Sequence, residues 1–179
     1  MRSNGRMIFA HSLAGLLAAA ASGLAAGAAG AQPVEVWETP GFMTPESVIL
    51  DADRDLLYVS NVNGQPNEKD GNGFISKVNR DGTIADLHWV EGLDAPKGMV
   101  IDGGTLYVSD IDRLVAIDID AGTIAASHEA PGARFLNDTA VDAEGRVYVS
   151  DMADNAIWRL EDGNFSLWLQ DPALESPNG

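Results

Sequence analysis

Four residues, Glu46, Lys97, Asn137 and Asn178, each open a short segment that copies the others. Proline precedes three of them, at Pro45, Pro96 and Pro177, and a small or short residue follows each one: Ser47, Gly98, Asp138 and Gly179. If these segments are equivalent elements around one axis, positions far apart in the chain become one ring. Glutamate and asparagine oxygens in a ring suit a hard divalent cation such as calcium, which takes several oxygen ligands at ~2.3–2.6 Å. The same residues also have a plainer reading, because polar residues cap strands and asparagine after proline is common in turns. Lys97 complicates the ring, since an ammonium beside a dication is unfavourable. It can pair with Glu46, bind an anionic group of a substrate, or turn away from the axis.

The segments belong to a longer repeat. "PESVILDADRDLLYVSN", "PKGMVIDGGTLYVSD" and "LNDTAVDAEGRVYVSD" each run from a short apolar stretch through an aspartate-containing turn to Tyr-Val-Ser-Asn/Asp. Tyr58, Tyr107 and Tyr148 mark a period of roughly 40–50 residues, which is the scale of repeat architectures. Two further runs follow each copy: "GFISKVN" and "TIADLHWV", "RLVAIDI" and "TIAASHEA", "NAIWRL" and "NFSLWLQ". They are rich in β-branched and aromatic residues and are separated by Asp-Gly-type turns. Four short strands per period predict an all-β fold, a β-propeller of four-stranded blades. The blades are expected at about 45–90, 96–129 and 136–169, with a further one starting at 176. "VEVWE", with Trp37, reads as a fourth strand with no strands before it. Three blades and a start do not close a ring, so residues 32–179 read as an incomplete propeller, the first half of a longer protein.

Composition narrows the partners. The 179 residues carry no cysteine and a formal charge of −16. The acidity argues against nucleic acid and anionic membrane surfaces and leaves cations and neutral small molecules open. Without cysteine there is no disulfide, thiolate metal site or cysteine nucleophile. Arg2 and Arg6 precede an uncharged Ala/Gly-rich run that ends in Ala29-Gly30-Ala31, the layout of an export signal over residues 1–31. The expected location is periplasmic or secreted, with no membrane association after cleavage. Nothing in the sequence indicates an oligomer.

Other motifs carry less. "DADRD" (Asp51, Asp53, Asp55) mimics a calcium loop, but Leu56 and Val62 stand where its glycine and bidentate glutamate belong, so it reads as a strand turn. Ser60, Ser109 and Ser150 recur in every copy, which favours a structural hydrogen bond over a nucleophile. His88 and His128 fall on outer strands. No G-x-S-x-G, Walker or dinucleotide signature occurs.

"PESVILDADRDLLYVSN", "RFLNDTAVDAEGRVYVSDM" and "SPNG" resemble the regucalcin/gluconolactonase family of six-bladed propellers, over about residues 34–179. "KDGNGFISKV" and "LDAPKGMVI" resemble its exported bacterial branch. The resemblance implies one divalent cation, calcium ahead of zinc, at the top of the channel, with ligands mapping to Glu46, Asn137 and Asn178. The family's remaining ligand, also its general base, is an aspartate of a later blade, beyond Gly179. The implied activity is metal-assisted hydrolysis of a sugar lactone or related ester, with Lys97, Asp138 and Arg134 as candidate substrate contacts. Arg134 lies three residues before Asn137, where the family places its arginine two before. The alternative reading is a propeller that binds a small molecule or a protein partner without chemistry.

Overall fold

Short runs of alternating residues joined by tight turns can only fold as antiparallel meanders, and the computed structural model shows this throughout. It describes residues 4–11 and 34–179. Strands β1 (Asn4–His11) and β2 (Val34–Met43) pair with each other. The first blade follows as β3 (Pro45–Asp51), β4 (Leu56–Asn61), β5 (Gly73–Asn79) and β6 (Ile84–Leu93). The second is β7 (Pro96–Asp102), β8 (Thr105–Asp110), β9 (Arg113–Asp118) and β10 (Thr123–Glu129). The third is β11 (Leu136–Val141), β12 (Val147–Asp151), β13 (Ala156–Glu161) and β14 (Asn164–Gln170). Each blade is a four-stranded antiparallel sheet in simple sequence order, so the fold is the β-propeller that the repeat predicts. After a 3-10 turn at Pro172–Leu174, residues 176–179 form no strand. The export leader and its cleavage site fall mostly outside the described residues, and the described part of that segment is β1. Among the described residues no helix is long and apolar enough to cross a membrane.

The turn aspartates explain the meander locally. Asp51 accepts from the backbone N–H groups of Asp53 and Arg54, Asp118 from Asp120 and Ala121, and Asp142 from Glu144 and Arg146. An aspartate that caps its own turn in this way substitutes for a missing backbone partner. The "DADRD" segment is thus a turn, with Asp51 buried and also paired to Arg54 at 3.1 Å.

Blades pack face to face. Tyr58, Ile75 and Leu93 of the first blade bury against Leu106, Val108 and Ile117 of the second. Leu114 of the second blade joins Leu136, Val149 and Trp158 of the third. A tryptophan on the outer strand completes the contact. Trp89 of β6 covers Gly122 in the next blade, where an added Cβ would lie 2.8 Å from the indole nitrogen. Trp37 of β2 covers Gly82 in the same way, 2.6 Å from an added Cβ, and its Nε1 donates to the Arg80 carbonyl. β2 therefore holds, on the first blade, the place that β6 holds on the second.

Near the axis the inner strands approach more closely still. An added Cβ at Gly98 of β7 would lie 2.6 Å from the Asp138 Cα and 2.7 Å from the Asn137 carbonyl oxygen of β11. Gly98→Ala is expected to cost about 1–3 kcal/mol, as overpacking against fixed backbone does. Urea unfolding reads this, and an unchanged midpoint would contradict the close approach. A second expectation concerns acid. Loss of water raises the Asp142 pKa, but hydrogen bonds from the Arg146 backbone and guanidinium and from Tyr148 outweigh it and hold the carboxyl at about 2. A depressed carboxylate stabilises the fold above its unfolded pKa of ~3.9, and that stability is lost as pH falls toward about 2. Asp142→Asn should flatten the stability profile across that window in pH-dependent melting, and an unaltered profile would refute the assignment.

Candidate functional site

Every inner strand begins with the same irregularity. Pro45 pairs with Asn61 and Val48 with Val59, so Glu46 and Ser47 together oppose Ser60. Lys97 and Gly98 likewise oppose Ser109, and Asn137 and Asp138 oppose Ser150. Two residues against one is a β-bulge, which breaks the side-chain alternation and re-aims the residues it contains. The bulge also disrupts the ladder, and the serine opposite repairs it. Ser60 accepts from the Ser47 N–H at 2.9 Å, and Ser150 from the Asp138 N–H at 3.0 Å. Ser109 donates toward the Gly98 carbonyl and, across the blade boundary, to the Asn137 carbonyl.

The residue after each serine holds the incoming loop. Asn61 accepts from the Met43 N–H. Asp110 accepts from Asp94 and Ala95, and Asp151 from Arg134, Phe135 and Ala153. All three are fully buried. The Ser-Asn/Asp pair thus fixes both the bulge and the chain that leads into it, and in this way places the ring.

The ring residues are brought together unevenly. Asn137 is 4% exposed, its Nδ2 points to the Met152 sulfur at 4.0 Å, and its buried Oδ1 has no hydrogen-bond partner. Asn178 is exposed and its Nδ2 points to the same sulfur at 3.8 Å. Glu46 is exposed at the mouth, where loss of water and then the negative Asp138 push its pKa up while Lys97 pulls it down. Asp138 Oδ2 lies 3.8 Å from where a Cβ on Gly179 would stand, beside Asn178. Among the described residues nothing donates a hydrogen bond to the carboxylates of Glu46 or Asp138, and no cation pairs with them.

Lys97 turns back rather than inward. Its side chain is 2% exposed, its Nζ donates to the Ala95 carbonyl at 2.9 Å, and it sits 4.6 Å from the centre of the Phe135 ring. Burial lowers its pKa, against the pull of Asp110 and Glu46. No carboxylate lies within ion-pairing distance of it among the described residues. Arg134 is not brought to the ring: its guanidinium is engaged by Asp154 and the Ala153 carbonyl at the rim.

Met152 and Phe135 are site neighbours that residue type alone does not flag. Met152 does have a signal in the repeat, because an apolar residue also follows the other strand-end residues, as Val62 and Ile111. In the "KDGNG" loop, Lys69 pairs with Asp112, and Asp70 accepts from the backbone and side-chain amides of Asn72.

The donor types, carboxylate and amide oxygens, are those that a hard cation takes. A buried amide oxygen without a partner is costly, and two carboxylates without donors gain most from a positive charge between them. Among the described residues no three His, Asp or Glu side chains converge, so amide oxygens would be needed as well.

No family model and no curated protein matches the chain. Solved structures do. Virginiamycin B lyase from Staphylococcus aureus matches at 19% identity with a TM-score of 0.56, over 75% of this chain and 44% of that one. A nidogen/laminin complex matches at 20% identity with a TM-score of 0.55, over 74% and 48%. Regucalcin from Agrobacterium tumefaciens matches at 19% identity with a TM-score of 0.51, over 68% and 44%. The chain has the β-propeller fold. It spans about half the length of these neighbours, which share its fold at low identity.

Asp151 gives the strongest test of how the site is positioned. Asp151→Ala leaves the N–H groups of Arg134, Phe135 and Ala153 without their acceptor, at about 1–3 kcal/mol for each that stays buried. A loss of at least about 2 kcal/mol in urea unfolding is expected. A variant as stable as the parent would show that the loop does not depend on this latch.

Proposed function

We propose that this chain is a cation-binding propeller segment of the regucalcin/gluconolactonase type. Its ring would hold a divalent cation, calcium before zinc, on Glu46, Asn137 and Asn178. The observation that carries the reading is the buried Asn137 Oδ1 with no partner, on a ring whose carboxylates also lack donors. The regucalcin neighbour is described as a calcium-binding protein, which agrees with this chemistry. The reaction class is hydrolysis of a sugar lactone or related ester, carried out in the periplasm or outside the cell. Lewis-acid polarisation of the carbonyl and stabilisation of the developing oxyanion are what such a cation supplies when bound.

The chain's own residues have narrower roles. Met152 steadies both amide groups by accepting from their nitrogens, which leaves each amide oxygen free to face the ring. Lys97, fixed by Ala95 and Phe135, adds positive charge near Glu46 without occupying the centre. Buried and bonded in this way, it acts on an anionic group of a substrate through its charge and not by contact. Asp138, with no internal donor, is open to a hydroxyl of a sugar or to a cation. Activation of water is assigned, by the resemblance alone, to an aspartate of a later blade.

Calorimetry with calcium chloride tests the reading. The protein is expected to bind calcium, with affinity falling about tenfold or more in Glu46→Gln and in Asn137→Ala, a change of about 1.4 kcal/mol or more. Unchanged affinity in both variants would sink the cation assignment.

A further inference from the structure

The third blade differs from the others at the second position of its bulge. That position holds Ser47 in the first blade, Gly98 in the second and Asp138 in the third. All three sit opposite a serine and leave the regular ladder. Only the third carries a carboxylate, and it directly follows the amide whose oxygen is buried without a partner. We infer that Asp138 is a ligand of the cation itself, so that the third blade's bulge contributes two adjacent oxygen donors, Asn137 Oδ1 and the Asp138 carboxylate. This rests on the cation reading above and adds a ligand to it.

Two placements support the assignment. The Asp138 backbone is fixed by Ser150 and by the close approach of Gly98, so the carboxylate starts from a defined position. Its Oδ2 reaches the Asn178–Gly179 segment. Other buried strand-end carboxylates behave differently: Asp110 and Asp151 are both saturated by backbone N–H donors. A carboxylate with no donor that directly follows a buried amide oxygen with no partner forms a pair of oxygens that a bound cation would satisfy together. Calcium suits such a set because it accepts mixed carboxylate and amide oxygens in flexible geometry.

The test is calcium calorimetry on the full chain with Glu46→Gln and three further variants. Asp138→Asn is expected to weaken calcium binding at least about tenfold while leaving the urea midpoint unchanged, because the side chain holds no internal hydrogen bond. Asp138→Ser, carrying the residue type of the first blade, serves if the amide variant does not fold, with the same loss expected. Glu35→Gln removes one negative charge from β2, away from the ring, and should leave affinity unchanged. If Glu46→Gln weakens binding and neither Asp138 variant does, this inference is overturned and the cation reading stands. If Glu35→Gln weakens binding as much as Asp138→Asn, the effect is long-range charge and Asp138 is not a ligand. If no variant, Glu46→Gln included, changes the affinity, the cation reading fails and this one with it.

Discussion

The arrangement depends on one small interaction, the hydrogen bond between a buried serine hydroxyl and the backbone of a bulge. A bulge frees a backbone N–H near the axis, where blades crowd and water is scarce. Left unpaired there, it would cost about 1–3 kcal/mol. Ser60 and Ser150 accept that proton from Ser47 and Asp138, and Ser109 serves the same place by donating to carbonyls on both sides of a blade boundary. Because the bulge is satisfied, two residues per blade leave the ladder and become available for chemistry. The next residue, Asn61, Asp110 or Asp151, then holds the preceding loop by its own backbone. The Tyr-Val-Ser-Asn/Asp repeat is therefore the support of the site, while the site residues vary above it.

That division explains what could be read from the chain in advance. The strands, the turns and the shared position of Glu46, Lys97 and Asn137 near the start of their inner strands follow from repetition, because each copy must satisfy the same backbone in the same way. The structural role of the three serines was open to the same argument. The bulge was not, since a register of two residues against one leaves no mark in hydrophobic alternation. Nor was the direction of Lys97, which is set by the Ala95 carbonyl and by Phe135 from the next blade. Arg134 illustrates a different limit: Asp154 lies twenty residues on, and only the loop geometry brings the two together. The pairing of β1 with β2 also goes unsignalled, because the composition of that segment speaks for export rather than for a strand.

Charge sorting separates support from site. The chain is strongly acidic, yet the buried carboxylates among its described residues are all committed. Asp51 caps a turn and pairs with Arg54, and Asp110 combines backbone N–H donors with Arg113. Glu46, which is exposed, and Asp138, which is half-buried, have no such donors among the described residues, and Lys97 nearby donates its hydrogen bond to the Ala95 carbonyl instead.

The outer strands show how the frame keeps this site in register. Trp37 over Gly82 and Trp89 over Gly122 are the same contact at successive blades, and each glycine has a positive φ as well as the missing side chain that lets the indole in. On the inward side of that contact, Tyr58 stacks on Trp89 at 4.7 Å and Lys77 covers the same ring. The third blade repeats the set with Tyr148, Arg159 and Trp168, but there the tryptophan is 51% exposed. An aromatic and cationic face that elsewhere is closed by a neighbouring blade is here open on the side where Asp138 and Thr139 line a cavity of about 140 Å³. Thr139 Oγ1 is buried there without a partner, one residue from the bulge. Tyr148 links the two, since it packs edge-on to Trp168 and also lines the cavity beside Asp138. The geometry of the site is coupled to the packing of the blades and not to the inner strands alone.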